Sequence, residues 1–445
     1  MSGQKRLTTK RSGLIAVLLI FLLPVLAFGE EEMTLNDAIR IGLQNNYNIR
    51  IARNSARVAD GNKGLGTAAF LPSIDLSGGY QQASIDITSN STASIGDNDA
   101  ETWNSDISLN WTLFDGFRMF ADKKRYNALA ILGETQARNT IELSVVAVSR
   151  AYFDLVRQDR LLEVAGDARD ISQTRLEKER VRNELGGASS TDLLNAQVAF
   201  NVDQSSFLTQ ELNIEIAREN LNLLLGRDPA KPITVSQKIA VPELADDFES
   251  LLKKASERNS SLIVARQNKI VADQLIQSAR ASFMPRLSLN AGYNWSDQTT
   301  SPSLSVGDIN TESSGTRVGL TLSINLFDGG RDKIGWRNAR LEAKNKQLAL
   351  ADAQNQMAGT MQQAYETYIL QKKLVVLEEQ NVAAARQNME LHQDRYRLGA
   401  VGSIEFRDAQ VSLIRAQTAL IVARYQVRIS RLVLQQLTGD IATDI

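Results

Sequence analysis

Four stretches of the chain alternate apolar and polar residues with a period of two. Trp103, Ser105, Ile107, Leu109, Trp111 and Leu113 alternate with Asn104, Asp106, Ser108, Asn110 and Thr112. Val318, Leu320, Leu322, Ile324 and Leu326 alternate with Gly319, Thr321, Ser323 and Asn325. Leu287, Leu289, Ala291, Tyr293 and Trp295 form a third such face, and Ile74, Leu76 and Tyr80 a shorter fourth. Side chains of a strand point to opposite faces in turn, so this pattern predicts strands with one apolar and one polar face. Polar loops at 89–101 and about 297–315 pair the strands into hairpins over 72–114 and 285–327. About ten residues per strand, with aromatics near the strand ends, is the signature of an outer-membrane barrel. The same pattern also fits a half-buried hairpin on a soluble core.

The rest of the chain reads as helix. No proline stands between Pro72 and Pro229, and none after Pro302. Proline in a helix interior costs about 3 kcal/mol, so these stretches permit long helices. Residues 117–185 and 330–398 are rich in Ala, Leu, Glu, Gln, Arg and Lys and end at Gly186 and Gly399, where a helix C-cap would sit. In the second, Leu370, Leu377, Ala384, Leu391 and Leu398 recur every seven residues, interleaved with Leu374, Asn381, Asn388 and Arg395. The first has Val164, Ile171 and Leu185 in one row and Leu161 and Ala168 in the other. Such seams predict helix pairing. A solvated coiled coil without any pore is an equal reading of these stretches taken alone.

The two halves repeat each other. Leu71-Pro72-Ser73-Ile74-Asp75-Leu76 returns as Met284-Pro285-Arg286-Leu287-Ser288-Leu289, and Leu113-Phe114-Asp115-Gly116 as Leu326-Phe327-Asp328-Gly329. Leu185-Gly186 returns as Leu398-Gly399, Ala196-Gln197-Val198 as Ala409-Gln410-Val411, Asn46 as Asn259 and Gly226 as Gly439. Every pair is separated by 213 positions. The expected organisation is a leader at 1–29, a first repeat at 30–229, a linker at 230–246 and a second repeat at 247–445. Each repeat reads helix, hairpin, long helix, turn, helix. At 1.5 Å per residue the long helices span about 100 Å, and the shorter ones, 34–70 and 189–225, about 55 Å each. Two short helices end to end then match one long one, with the linker gathered at mid-height.

Composition narrows the function. The chain has no cysteine, a single histidine (His392) and a formal charge of −1. That removes thiol chemistry and most zinc sites, and argues against nucleic acid as a partner. A serine triad would have to be built on His392, inside a helical stretch with no glycine-rich elbow. No catalytic residue, metal or cofactor is expected. Lys5, Arg6, Lys10 and Arg11 precede an apolar run from Leu14 to Phe28, and Ala27-Phe28-Gly29 supplies small residues for cleavage. The run is shorter than the roughly 20 residues of a spanning helix, so it reads as a secretory signal with Glu30 as the mature N-terminus.

Four strands cannot close a barrel, and open strand edges in lipid leave backbone groups unpaired at several kcal/mol each. Closure needs several chains, and three would supply twelve strands. Taken together, the duplicated Leu/Met-Pro approach to a strand, the Leu-Phe-Asp-Gly exit, Arg395-Tyr396-Arg397-Leu398-Gly399 before an acid-bearing helix start, and Ala-Gln-Val in both returning helices resemble the TolC family of outer-membrane efflux proteins. The resemblance covers nearly all of the mature chain.

It implies an α+β membrane protein: a homotrimer with a 12-stranded β-barrel in the outer membrane of a Gram-negative bacterium, continued into the periplasm by a long α-helical coiled-coil barrel. It implies the exit duct of a tripartite efflux pump or type I secretion system, with a periplasmic adaptor protein and an inner-membrane pump of the RND or ABC type as partners. It also implies a periplasmic gate at Glu405, Asp408, Asp192 and Asn195, and adaptor docking at the tip turns Leu185, Gly186, Tyr396, Arg397, Leu398 and Gly399. Gly402 and Glu405 stand where the family more usually has Thr and Asp. From the residues alone, these acids also fit helix caps, since acids in a first turn complement the helix dipole. The alternative function is a periplasmic coiled-coil scaffold or adaptor without a pore.

Overall fold

A computed structural model describes residues 32–87, 96–187, 189–236, 243–302 and 307–442. The leader and the Glu30 cleavage point lie outside the described residues. Nine helices and four strands follow one another in two similar halves among the described residues. The first half holds α1 (Leu35–Asn45), α2 (Tyr47–Gly61), α3 (Lys63–Ala68), β1 (Ser73–Ile87), β2 (Gly96–Asp115), α4 (Arg118–Glu184) and α5 (Ser190–Leu225). The second holds α6 (Phe248–Arg258), α7 (Ser260–Arg280), β3 (Arg286–Pro302), β4 (Ile309–Ser323), α8 (Arg331–Arg397) and α9 (Ser403–Thr438).

The long helices α4 and α8 have 67 residues each, and the returning helices α5 and α9 have 36 each. At 1.5 Å per residue α4 and α8 run about 100 Å. The expected single helix over 34–70 is broken instead at Asn46 and again at Asn62. No side chain caps the new helix at Asn62, whereas the break at Asn46 has a side-chain cause. The Asn46 Oδ1 accepts from the Ile49 N–H at 3.2 Å, starting α2 afresh, while its Nδ2 donates to the Leu224 carbonyl at 2.8 Å. Asn259 does the same between α6 and α7, accepting from the Leu262 N–H at 3.1 Å and donating to the Leu437 carbonyl at 3.1 Å. Each buried amide therefore caps one helix and holds the end of another. At Gly226, which ends α5 with φ of 65°, an added Cβ would stand 2.7 Å from the Asn45 carbonyl oxygen. Only glycine allows both the left-handed turn and that approach.

The strands form one antiparallel sheet in the order β1-β2-β3-β4. Register keeps the two faces apart. Leu76 pairs with Ile107, Ile107 with Tyr293 and Leu289 with Leu320, while Ser77 pairs with Asp106 and Asp106 with Asn294. A bulge lies between Thr112 and Phe114. β4 stops at Ser323, short of Ile324 and Leu326, because Ser323 already faces Arg286, the first residue of β3. Ile74, Leu76, Val318, Leu320 and Leu322 are all largely exposed, so no layer among the described residues covers the apolar face. β1 and β4 are each paired on one side only. Among the described residues no helix is long and apolar enough to cross a membrane.

Packing among the helices gathers into three clusters. The first sets Ile233 and Val235 of the linker against Val148, Leu155 and Val156 in the middle of α4, with Ala38 and Leu221. The second joins Leu251, Met361, Tyr368, Val427 and Leu434. The third, at the far end of the helices, joins Met389, Tyr396, Phe406 and Ala409.

The heptad register of α8 differs from the expected one. The row packed inside the chain is Met361, Tyr368, Val375, Met389 and Tyr396, all buried. The leucine row is turned outward: Leu370, Leu377 and Leu391 are each 54% exposed and Leu398 84%. Both rows repeat every seven residues. The intrachain seam takes the row facing α9, and the leucines stand on another face of the helix.

Candidate functional site

The distal end of the helices, farthest from the sheet, holds three of the four buried charged side chains among the described residues, Arg175, Glu179 and Asp203. Leu185 closes α4 and Leu398 closes α8, and both leucine side chains are exposed. Gly186 and Gly399 follow with φ of 74° and 75° and turn the chain back. α5 starts with a capping box: the Ser189 side chain accepts from the Asp192 N–H at 3.2 Å, and the Asp192 carboxylate accepts from the Ser189 N–H at 3.3 Å. At the start of α9, Glu405 Oε2 accepts from the Gly402 N–H at 3.0 Å. Both acids thus act as helix caps, whatever else they do. Asp408 and Asn195 lie exposed one turn further on.

One of the six expected docking residues is buried. Tyr396 is only 4% exposed. Its ring stacks on Phe406 with centroids 4.8 Å apart, and its hydroxyl donates to the Glu179 carboxylate. Arg397 remains exposed and lies 3.7 Å from Asp394.

Around Tyr396 the structure assembles a polar network that the sequence reading did not pick out. Arg407 on α9 grips Asp203 on α5 with both guanidinium nitrogens, Nη2 donating to Oδ1 at 2.8 Å. The Ser172 hydroxyl of α4 donates to the same carboxylate. Gln410 Nε2 donates to the Ala168 carbonyl at 2.8 Å, and Arg407 Nη1 to Gln410 Oε1 at 3.0 Å. Lys178 Nζ lies over the Tyr396 ring at 3.9 Å and donates to the Tyr396 carbonyl at 2.7 Å. Glu179, fully buried, also takes a 3.3 Å contact from Arg182. Every one of these links joins the first helical hairpin, α4–α5, to the second, α8–α9, or braces a residue that does.

Burial, and then donation to Glu179, pushes the Tyr396 hydroxyl well above its usual range, so it stays a donor at any physiological pH. Burial, and then the nearby Arg407, lowers the Arg175 guanidinium. A faint sequence signal existed. Ala168, Ser172, Arg175 and Glu179 are spaced four, three and four apart, which is seam spacing filled with polar residues. Among the described residues no group of three His, Cys, Asp or Glu side chains comes together to hold a metal.

Comparison with known proteins agrees with this architecture. The model of the family described as outer membrane efflux protein matches residues 38–227 and again 251–440. Outer membrane protein TolC of Escherichia coli is 22% identical over 370 residues, 82% of this chain and 72% of that protein. The alkaline protease secretion protein AprF of Pseudomonas aeruginosa is 24% identical over 394 residues, 87% of this chain and 81% of that protein. Among solved structures, the Campylobacter jejuni CmeC outer membrane channel superposes with a TM-score of 0.81 at 16% identity, covering 91% of this chain and 85% of that one. The open state of the Neisseria gonorrhoeae MtrE outer membrane channel gives a TM-score of 0.74 at 16% identity, covering 91% and 88%.

Proposed function

The chain belongs to the outer membrane efflux protein family, and on that premise we propose that three copies close one barrel and form the exit duct of a tripartite export system. The protein is an outer-membrane channel protein of a Gram-negative bacterium. One observation carries the trimeric duct: a four-stranded sheet with an uncovered apolar face and two edges unpaired within the chain. In lipid the apolar face is satisfied, and β1 of one chain pairing with β4 of the next removes both edges. A scaffold without a pore would leave that face in water, which weighs against it. A groove of about 800 Å³ beside α2 and α4, lined in part by Ile51, Ala52, Leu129, Leu132 and Leu143, offers room for a neighbouring helix.

In this reading the helices continue the barrel into the periplasm, and the distal end is the gate. The exposed turns at Leu185-Gly186 and Arg397-Leu398-Gly399 present the docking face for a periplasmic adaptor, which couples the duct to an inner-membrane pump. Tyr396 works from inside, as part of the clasp between hairpins. Glu405 and Asp408, with Asp192 and Asn195 on the first returning helix, line the mouth. With threefold symmetry Glu405 and Asp408 place six carboxylates around it, which enriches cations there.

Planar-bilayer recording tests both parts. The parent protein is expected to conduct as a trimer and to favour cations. Glu405→Gln/Asp408→Asn is expected to lower cation-over-anion selectivity by a factor on the order of a few and to weaken block by multivalent cations. Unchanged selectivity and block would leave these carboxylates as helix caps only. A stable folded monomer without channel activity would overturn the duct itself.

A further inference from the structure

Beside the Tyr396 clasp lies a separate cavity of about 270 Å³ between the two helical hairpins. α4 contributes Ile171, Thr174, Arg175 and Lys178 to its wall, α8 contributes Tyr396 and Arg397, and α9 contributes Phe406. Arg175 is its unusual member. The residue is 3% exposed, and its Nε has no hydrogen-bond partner among the described residues. Its one hydrogen bond among the described residues, from Nη1 to the Ser403 carbonyl, is long at 3.4 Å. A buried guanidinium without a carboxylate in contact is costly, and such a group needs an acceptor to stay charged there.

Neighbouring side chains do not supply that acceptor. Glu179 is occupied by the Tyr396 hydroxyl and Arg182, and Asp203 by Arg407 and Ser172. Asp170 stands at the rim, paired with Arg169 at 2.6 Å. Among the charged groups that line the cavity, Arg175, Lys178 and Arg397 outnumber the one acid, Asp170. Lys178 has used one donor on the Tyr396 carbonyl, and Arg397 stands at the edge. Ile171 and Phe406 make the remaining wall apolar.

We propose that this cavity is a binding site for a small organic carboxylate, held through Arg175 and Lys178 with its apolar body against Ile171 and Phe406. The guanidinium edge suits a carboxylate, which accepts two parallel bonds from it. A carboxylate seated there touches α4 of one hairpin and α8 and α9 of the other, and so fastens them together. Its effect on conductance, the closed tip being favoured when the site is filled, rests on the gate reading given above; its binding does not.

Calorimetry on the detergent-purified full chain, with sodium benzoate as the probe, tests the site. One saturable benzoate per chain is expected. Arg175→Gln is expected to weaken it at least tenfold and Lys178→Gln several-fold. Without benzoate, Arg175→Gln is expected to melt no lower than the parent, because an unpaired buried cation has been removed. If that variant does not fold, Lys178→Gln alone decides the matter. Absence of saturable binding, or binding that neither substitution changes, overturns the site. Sulfate binding as tight as benzoate overturns the choice of an organic carboxylate. In bilayers, benzoate is expected to lower the parent's open probability and to leave Arg175→Gln unaffected. Binding without any change in conductance keeps the site and discards its link to the gate.

Discussion

Arg407→Ala is expected to loosen the distal end and, on the gate reading, to raise the open probability of the channel in planar bilayers. Its guanidinium is the partner that makes a buried Asp203 carboxylate tolerable, and Ser172 alone cannot neutralise that charge. Removing one member of a buried pair costs roughly 3–5 kcal/mol, because the other is left uncompensated. The loss falls where α9 is held against α5 and α4, so the second hairpin is the part released. Thermal unfolding should show the lower stability, and single-channel recording the higher open probability. The double variant Asp203→Leu/Arg407→Met supplies the control. Two apolar groups of similar size replace a buried pair at little cost, so its melting should return close to the parent's. If Arg407→Ala melts and gates as the parent does, the pair is not what holds the hairpins together.

Leu377→Asp/Leu391→Asp is expected to abolish the trimer while leaving the protomer folded. Both leucines are half exposed on a single chain, on a face of α8 that its own α9 does not cover. In the proposed cylinder that face meets the next protomer. Burying a leucine is worth about 1.5–3 kcal/mol, and an aspartate in its place adds the cost of a desolvated charge. Three interfaces each lose two such contacts, so mass measurement in detergent should find monomers at concentrations where the parent is trimeric. Circular dichroism should still report the long helices. Trimers that persist would place the protomer boundary on another face.

How legible was this in the sequence? The strand cores were, because period-two alternation depends on local geometry alone: Leu287 to Trp295 carry it unbroken and Trp103 to Leu113 with only Ser105 out of place. Their outer ends were not, since 96–101, 297–302 and 309–315 read as polar loop and are strand. The long helices and their ends were legible for similar reasons: few residues but glycine tolerate the left-handed turn at positions 186 and 399. The register of the coiled coil was not. Leu370, Leu377 and Leu391 outshine Tyr368, Val375 and Met389 in hydrophobicity, yet the latter row faces the chain's own partner helix. A sequence shows that a stripe exists but not which chain covers it. The clasp was hidden for another reason. Glu179, Asp203 and Arg407 look like ordinary charges on long polar helices, and only contacts across more than 200 positions, such as Arg407 to Asp203 or Tyr396 to Glu179, make them a unit. Asn46 and Asn259 were visible as a matched pair, but their role as helix breakers depends on carbonyls of distant helices.

Those two asparagines have a mechanical meaning. α4 and α8 run their whole length unbroken, whereas the columns beside them are spliced: α5 ends where Asn46 holds the Leu224 carbonyl, and α9 ends where Asn259 holds that of Leu437. A splice of this kind resists pulling apart and is backed by packing, Ala38 and Ile39 against Leu221 and Leu225 at the first joint, and by Arg258 at 3.6 Å from Asp440 at the second. No continuous helical hydrogen-bond ladder runs through it, so a rotation imposed at the far end meets less resistance there than within α4 or α8. Each chain has two unbroken rods, which fix the length of the column, and two jointed ones, which yield first.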